Sequence, residues 1–225
     1  MNGERIPTKG RLFLVAGGHG RGRSDTVLED MLARLAIPLP RVAYIGAAHG
    51  DDLSFFTRMA GMLTAAGAGP VDLVPTAEGR RVAPASRRIL ETADLVFVSG
   101  GDVEEGMRAL GKAGVDRLLE ALFAAGRPFM GLSAGSIMLG RAWVRWRDPG
   151  DDATAEPFPC LGFAPFICDT HDEESGWEEL KALIALSPAG TPGYGIPSGG
   201  GLVVEPDGAT VAVGVQPFTL SKQDL

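Results

Sequence analysis

Short runs rich in valine, leucine, isoleucine and phenylalanine, set apart by helix-length segments, confine this chain to one architecture. The runs are Leu12–Val15, Val42–Gly46, Val71–Val74, Leu95–Val98 and Phe129–Leu132, with glycine, proline or serine at, or within two residues of, the end of each. A strand open to water on one face alternates apolar with polar residues. Runs without that alternation suit strands covered on both faces. The intervening segments carry helix signals: Ser24 can cap a helix through about Ala36, and Asp51 or Asp52 one through about Ala66. Pro84 opens another to about Thr92, and Gly114–Ala125 reads as a further helix stopped by Gly126. This βαβα order predicts an α/β fold, a doubly wound and mostly parallel sheet with helices on both faces. No linker or repeat interrupts it, so residues 1–225 read as a single domain. The last third, "GYGIPSGGGLVVEPDGATVAVG", reads as short strands joined by turns, with "PDG" a hairpin signal. It predicts a C-terminal β-hairpin extension at the sheet edge, or a small β layer.

Charge then removes whole classes of function. The formal net charge is −7 and the pI is near 5.0, whereas nucleic acids and anionic membranes both select a basic footprint. Cys160 and Cys168 lack CxxC spacing, which fits a reducing compartment rather than a disulfide framework. The opening "MNGERIPTKGRLFLVAGGHG" does not read as a signal peptide, and no stretch approaches the ~20 apolar residues of a spanning helix. The expectation is a cytoplasmic, soluble protein whose partner is a small molecule.

In open α/β sheets, sites lie beyond the carboxyl ends of the strands. Those ends here read "AGGHGRG", "GAAHGDD", "VSGGDVEEG" and "GLSAGS". The last belongs to Gly131-Leu132-Ser133-Ala134-Gly135, a G-x-S-x-G pattern with a strand before it and a helix-compatible run after it. A sharp strand-to-helix turn strains the central serine, and flanking side chains would clash there. Ser133 is therefore the candidate nucleophile, with the Ala134 amide as an oxyanion donor. Paired glycines in "VSGGD" let a backbone amide approach a reacting carbonyl, which makes Gly101 the second donor. A helix capped by Asp102 follows them.

A serine nucleophile needs a base, usually histidine, oriented by a carboxylate. Of three histidines, His19 and His49 lie in glycine-rich loops before the serine, and His171 alone follows it, after the strand-like "GFAPFICD". Carboxylates between Ser133 and His171 are Asp148, Asp151, Asp152, Glu156 and Asp169. The histidines are far apart and no HExxH-type spacing occurs, so no metal and no cofactor is expected.

Together the "VSGGD" turn, the "GLSAGS" elbow, "RWRD", "CDTHD" and the "GIPSGGGLVV" hairpin resemble the serine peptidase family that contains peptidase E and cyanophycinase. The resemblance runs over most of the chain. It implies a flavodoxin-like sheet related to class I glutamine amidotransferases, whose elbow carries cysteine where this chain has serine. It implies Ser133 as nucleophile and His171 as base, with Asp148 as third member by analogy with peptidase E, or Asp169 by analogy with cyanophycinase. Asp102 and Ser198 are the expected substrate-binding positions. The departures concern the substrate. Peptidase E has an acidic residue where Ser198 stands, and the family's arginines after the histidine give way here to "DEESGWEELK". Acidic residues there would repel an aspartyl side chain and attract an amine.

The function expected is a serine hydrolase cleaving small peptides, a dipeptidase or exopeptidase acting through a Ser-His-Asp triad, as a monomer or homodimer. The alternative is a catalytically altered relative that binds a small molecule or regulates. Nucleotide binding through "GGHGRG" is disfavoured: the spacing is not G-x-G-x-x-G, and no P-loop lysine is present. An α/β-hydrolase esterase is disfavoured because a long stretch follows His171.

Overall fold

The computed structural model describes residues 10–17, 23–77, 81–148 and 150–225. Strands and helices alternate as β1 (Leu12–Val15), α1 (Arg23–Ala33), β2 (Val42–Ile45), α2 (Leu53–Ala65), β3 (Val71–Val74), α3 (Pro84–Thr92) and β4 (Leu95–Val98). Two helices, α4 (Val103–Ala113) and α5 (Asp116–Ala124), then precede β5 (Phe129–Leu132). The apolar runs of β1, β2, β4 and β5 pack as strands because both sheet faces are covered; β3 instead lies at the sheet edge, only partly buried, with Asp72 paired to Arg41. Leu12, Leu14, Ala43, Ile45, Val96 and Val98 join one buried cluster, on the side of α4 and α5. Phe13, Val15, Val42, Tyr44, Leu95 and Phe97 join the other, against α1 and α2. Each large aliphatic or aromatic side chain so buried contributes about 1.5–3 kcal/mol.

Helix boundaries follow local chemistry. Asp52 caps α2 through the Phe55 amide, and Pro84 occupies the first turn of α3. The segment between β4 and β5 is two helices because Gly114 turns left-handed at φ 65° and its amide closes on Leu110.

Two strands of the last third extend the main sheet. β10 (Gly200–Val204) lies antiparallel to β1, and β11 (Thr210–Gly214) pairs with β10 across the "PDG" turn. The seven-stranded order is β11-β10-β1-β5-β4-β2-β3, with β1 to β5 mutually parallel. The small β layer forms as well. β8 (Ile167–Thr170), β9 (Gly193–Ile196) and β12 (Phe218–Leu220) make a second sheet in the order β12-β9-β8, and α7 (Glu178–Leu186) packs against it. A hairpin of β6 (Ala142–Trp146) and β7 (Ala155–Pro159) has no clear sequence signal. Pro157 and Pro159 argue against a strand, and they are tolerated because β7 pairs only with β6. Among the described residues, no helix is long and apolar enough to cross a membrane.

Candidate active site

The site forms at the carboxyl ends of β1, β4 and β5. Ser133 joins β5 to α6 (Ala134–Leu139) with φ 53° and ψ −124°, a sparsely populated conformation that costs about 1–3 kcal/mol. Neighbouring contacts hold it there. The Ser133 amide donates to the Val15 carbonyl at 2.9 Å, and the Ser133 carbonyl accepts from Ser136 at 2.7 Å. Ser136, fully buried, donates its hydroxyl to the Val15 carbonyl and accepts from the Val15 amide, tying the elbow to β1. The glycines flanking the serine are required by close approach. A Cβ on Gly135 would overlap the Val98 carbonyl, and one on Gly131 would press on the Ser136 backbone.

His171 arrives from the other sheet. Parallel pairing of β8 with β9 carries it to the elbow, where its amide donates to Ile196 at 2.9 Å and its φ is 45°. Its Nε2 lies 2.7 Å from Ser133 Oγ. The amides of Gly101 and Ala134 make no hydrogen bond among the described residues. Gly100 packs on Ser133, since a Cβ there would lie 3.2 Å from the Ser133 Cβ.

The two carboxylates expected to complete a triad are not hydrogen-bonded to His171. Asp148 is exposed in the turn after β6, where Oδ1 accepts from the Gly150 amide at 3.0 Å. Asp169 is buried on β8, its Oδ1 accepting from Thr170 and its Oδ2 without a partner. Asp102 caps α4 beside Gly101, and the Ser198 amide donates to Glu173. His19 lies outside the described residues. The G-x-S-x-G pattern does not single out Ser136, although a second serine three residues after the first, in an apolar run, is a signal that points to it.

The surroundings are acidic. Asp102, Asp172, Glu173 and Glu179 make no ion pair among the described residues. Glu179 accepts from the Trp143 indole at 2.6 Å, and burial pushes its carboxyl up, reinforced by the charges of Asp172 and Asp102. Burial likewise pushes Asp169 up from 3.8 to about 7, with the charges of Glu179 and Asp172 adding to it. The two thiols are free, and burial raises both, Cys160 to about 12. That leaves hydroxyl rather than thiolate chemistry.

Asp169 makes stability depend on pH. Its raised pKa means that between about pH 4 and pH 7 the folded state holds a proton that the unfolded state has lost. Its contribution is complete below pH 4 and disappears as pH rises through about 7. Asp169→Asn is therefore expected to be more stable than wild type above pH 7, with the advantage shrinking toward pH 4. Thermal unfolding of both proteins across that range checks the sign.

A strained serine at a strand–helix elbow with an imidazole on its hydroxyl, on a doubly wound sheet, is the arrangement of a serine hydrolase. The sequence profile of Peptidase family S51 matches residues 12–212. Peptidase E of Streptomyces coelicolor is 31% identical over 205 residues, covering 86% of this chain and 79% of that protein. The chain belongs to peptidase family S51 and is a serine-type peptidase. Two solved structures share the fold. A peptidase from an acI-B1 Actinobacterium superposes with a TM-score of 0.71 at 16% identity over 96% of both chains. A candidate Peptidase E protein from Listeria monocytogenes gives 0.66 at 17% identity, over 92% of this chain and all of its own.

Proposed function

We propose that the chain hydrolyses small peptides, as a dipeptidase or exopeptidase, through an acyl-enzyme on Ser133. The 2.7 Å contact between Ser133 Oγ and His171 Nε2 carries this reading. His171 takes the hydroxyl proton as Oγ bonds to the substrate carbonyl carbon, and the carbonyl electron pair moves onto oxygen. The Gly101 and Ala134 amides stabilise that oxyanion. Collapse breaks the C–N bond, and the leaving amine takes the proton from His171. Water, deprotonated by the same ring, then releases the acid and restores Ser133. Asp169 suits support of the imidazolium better than Asp148. It is buried two residues from His171, while Asp148 is exposed and engaged with Gly150.

A fluorophosphonate probe together with a dipeptide library tests the reading. Labelling and hydrolysis should both vanish in Ser133→Ala, and a folded wild type that takes no label would overturn it.

The acidic rim sets a preference within that reading. Peptides with aspartate at the cleaved bond should show kcat/KM about 10-fold below neutral or lysyl counterparts, because like charges in a half-buried site cost ~1 kcal/mol or more. Raising ionic strength should narrow the gap. Equal turnover of aspartyl and lysyl peptides at low salt would contradict it.

A further inference from the structure

The loop "GAAHGDD" after β2 takes no part in the chemistry described so far, yet its half-buried His49 starts a polar chain that ends at the paired glycines. Residues Ala47–His49 form a 3₁₀ turn against the start of α4. The Asp102 amide donates to the Ala48 carbonyl at 2.7 Å, and a Cβ on Gly101 would overlap that same oxygen. The turn is thus the floor beneath Gly101, and Ser133 is the wall beside Gly100.

His49 fixes the turn from within. Its Nδ1 accepts from the Asp52 amide at 3.1 Å, so in the neutral ring the proton sits on Nε2. Nε2 lies 3.0 Å from Tyr44 Oη and donates to it. Tyr44, wholly buried, donates in turn to Ser99 Oγ at 2.7 Å, and Ser99 is wholly buried as well. From the Asp52 amide through His49 and Tyr44, each donor meets an acceptor, and the path ends on Ser99 Oγ. Burial lowers the pKa of His49, which keeps it in the neutral form that the chain requires. Ser99 immediately precedes Gly100, so the chain grips both ends of the glycine pair: Ser99 directly, and Gly101–Asp102 through Ala48. The tyrosine ring is itself held, stacked on Phe97 and edge-on to Phe56.

We propose that His49, Tyr44 and Ser99 are positioning residues that hold the Gly100–Gly101 turn in its oxyanion-binding orientation. They do so without touching substrate. This rests on the assignment of Gly101 as an oxyanion donor. A displaced donor costs transition-state stabilisation while leaving ground-state peptide contacts in place, so the effect belongs in kcat rather than KM.

Tyr44→Phe removes one oxygen and keeps the ring. Its kcat and its rate of fluorophosphonate labelling should both fall about 10- to 100-fold, the scale of a small misplacement in an active site. KM should change less than about two-fold. His49→Ala should match it, and His49→Gln, which keeps a donor, should recover part of the loss. Leu32→Ala, a core truncation in α1, controls for lost stability and should label at the wild-type rate. If wild type is labelled and Tyr44→Phe labels equally fast, the proposal is overturned while the peptidase reading stands. It is likewise overturned if Leu32→Ala, at equal loss of thermal stability, slows labelling as much as Tyr44→Phe. An unlabelled wild type would overturn both.

Discussion

Ser133→Ala is expected to abolish peptide hydrolysis, with kcat falling roughly 10⁴- to 10⁶-fold while the protein stays folded. The two expectations have separate causes. On the proposed mechanism activity depends on Oγ, which lies 2.7 Å from His171 Nε2. Folding depends on the backbone: the Ser133 amide bound to Val15, the carbonyl bound to Ser136, and the close approach of Gly135 to β4. Alanine retains all of these. His171→Gln should lower kcat by a comparable factor. The double variant should be little worse than either, because nucleophile and base act as a unit. Mass spectrometry of wild type quenched during turnover of a slow ester should show an adduct on the peptide containing Ser133, absent from both variants. Normal hydrolysis by Ser133→Ala would move the chemistry to another group. The thiols of half-buried Cys160 and buried Cys168 are poor replacements, both held protonated by desolvation.

The main sheet is legible in the sequence because its signals are local. Strands covered on both faces must be apolar throughout, so β1, β2, β4 and β5 can be placed from composition alone, whereas β3 carries Asp72 at the sheet edge. The pairing of β1 with β10 cannot. It joins residues nearly two hundred positions apart, and "LVV" states only that a strand is buried, not what it pairs with. The elbow is readable for the same local reason: Gly131 and Gly135 are consequences of close backbone approach, and such constraints leave their mark in sequence. The histidine that meets Ser133 is readable by elimination, since one histidine follows the serine. Its carboxylate is not. Asp148 stands in a segment that resembles the family's, but in this chain its side chain serves its own turn. Asp169 is distinguished by burial, which the sequence "CDTHD" does not display. The His49–Tyr44–Ser99 chain is hidden for a third reason. Tyr44 lies inside an apolar strand and looks like core, and only the fold brings it between a histidine and a serine from two different loops.

Gly101→Ala should be the next most damaging substitution after loss of the nucleophile or base, and for a purely geometric reason. The residue has φ 142°, a conformation that L side chains rarely adopt. An added Cβ would run into the Ala48 carbonyl, and the nearby atoms are backbone, so no flexible side chain can yield. Either the 47–49 turn retreats or the 100–101 segment rotates. Both motions turn the Gly101 amide away from the oxyanion position, and loss of one such donor lowers kcat by about 10²- to 10³-fold. The Asp102–Ala48 hydrogen bond would be lost with it, adding a destabilisation of about 1–3 kcal/mol from overpacking. Ser133 Oγ and His171 are untouched, so KM for a dipeptide should move far less than kcat. Gly208→Ala is the matched control. Its glycine, in the β10–β11 turn away from the site, also has a positive φ, 89°, but no atom lies within 4 Å of an added Cβ. That variant should lose stability from backbone strain while keeping its kcat. If Gly101→Ala retains wild-type kcat, the oxyanion must be bound elsewhere, and the paired glycines serve only the turn.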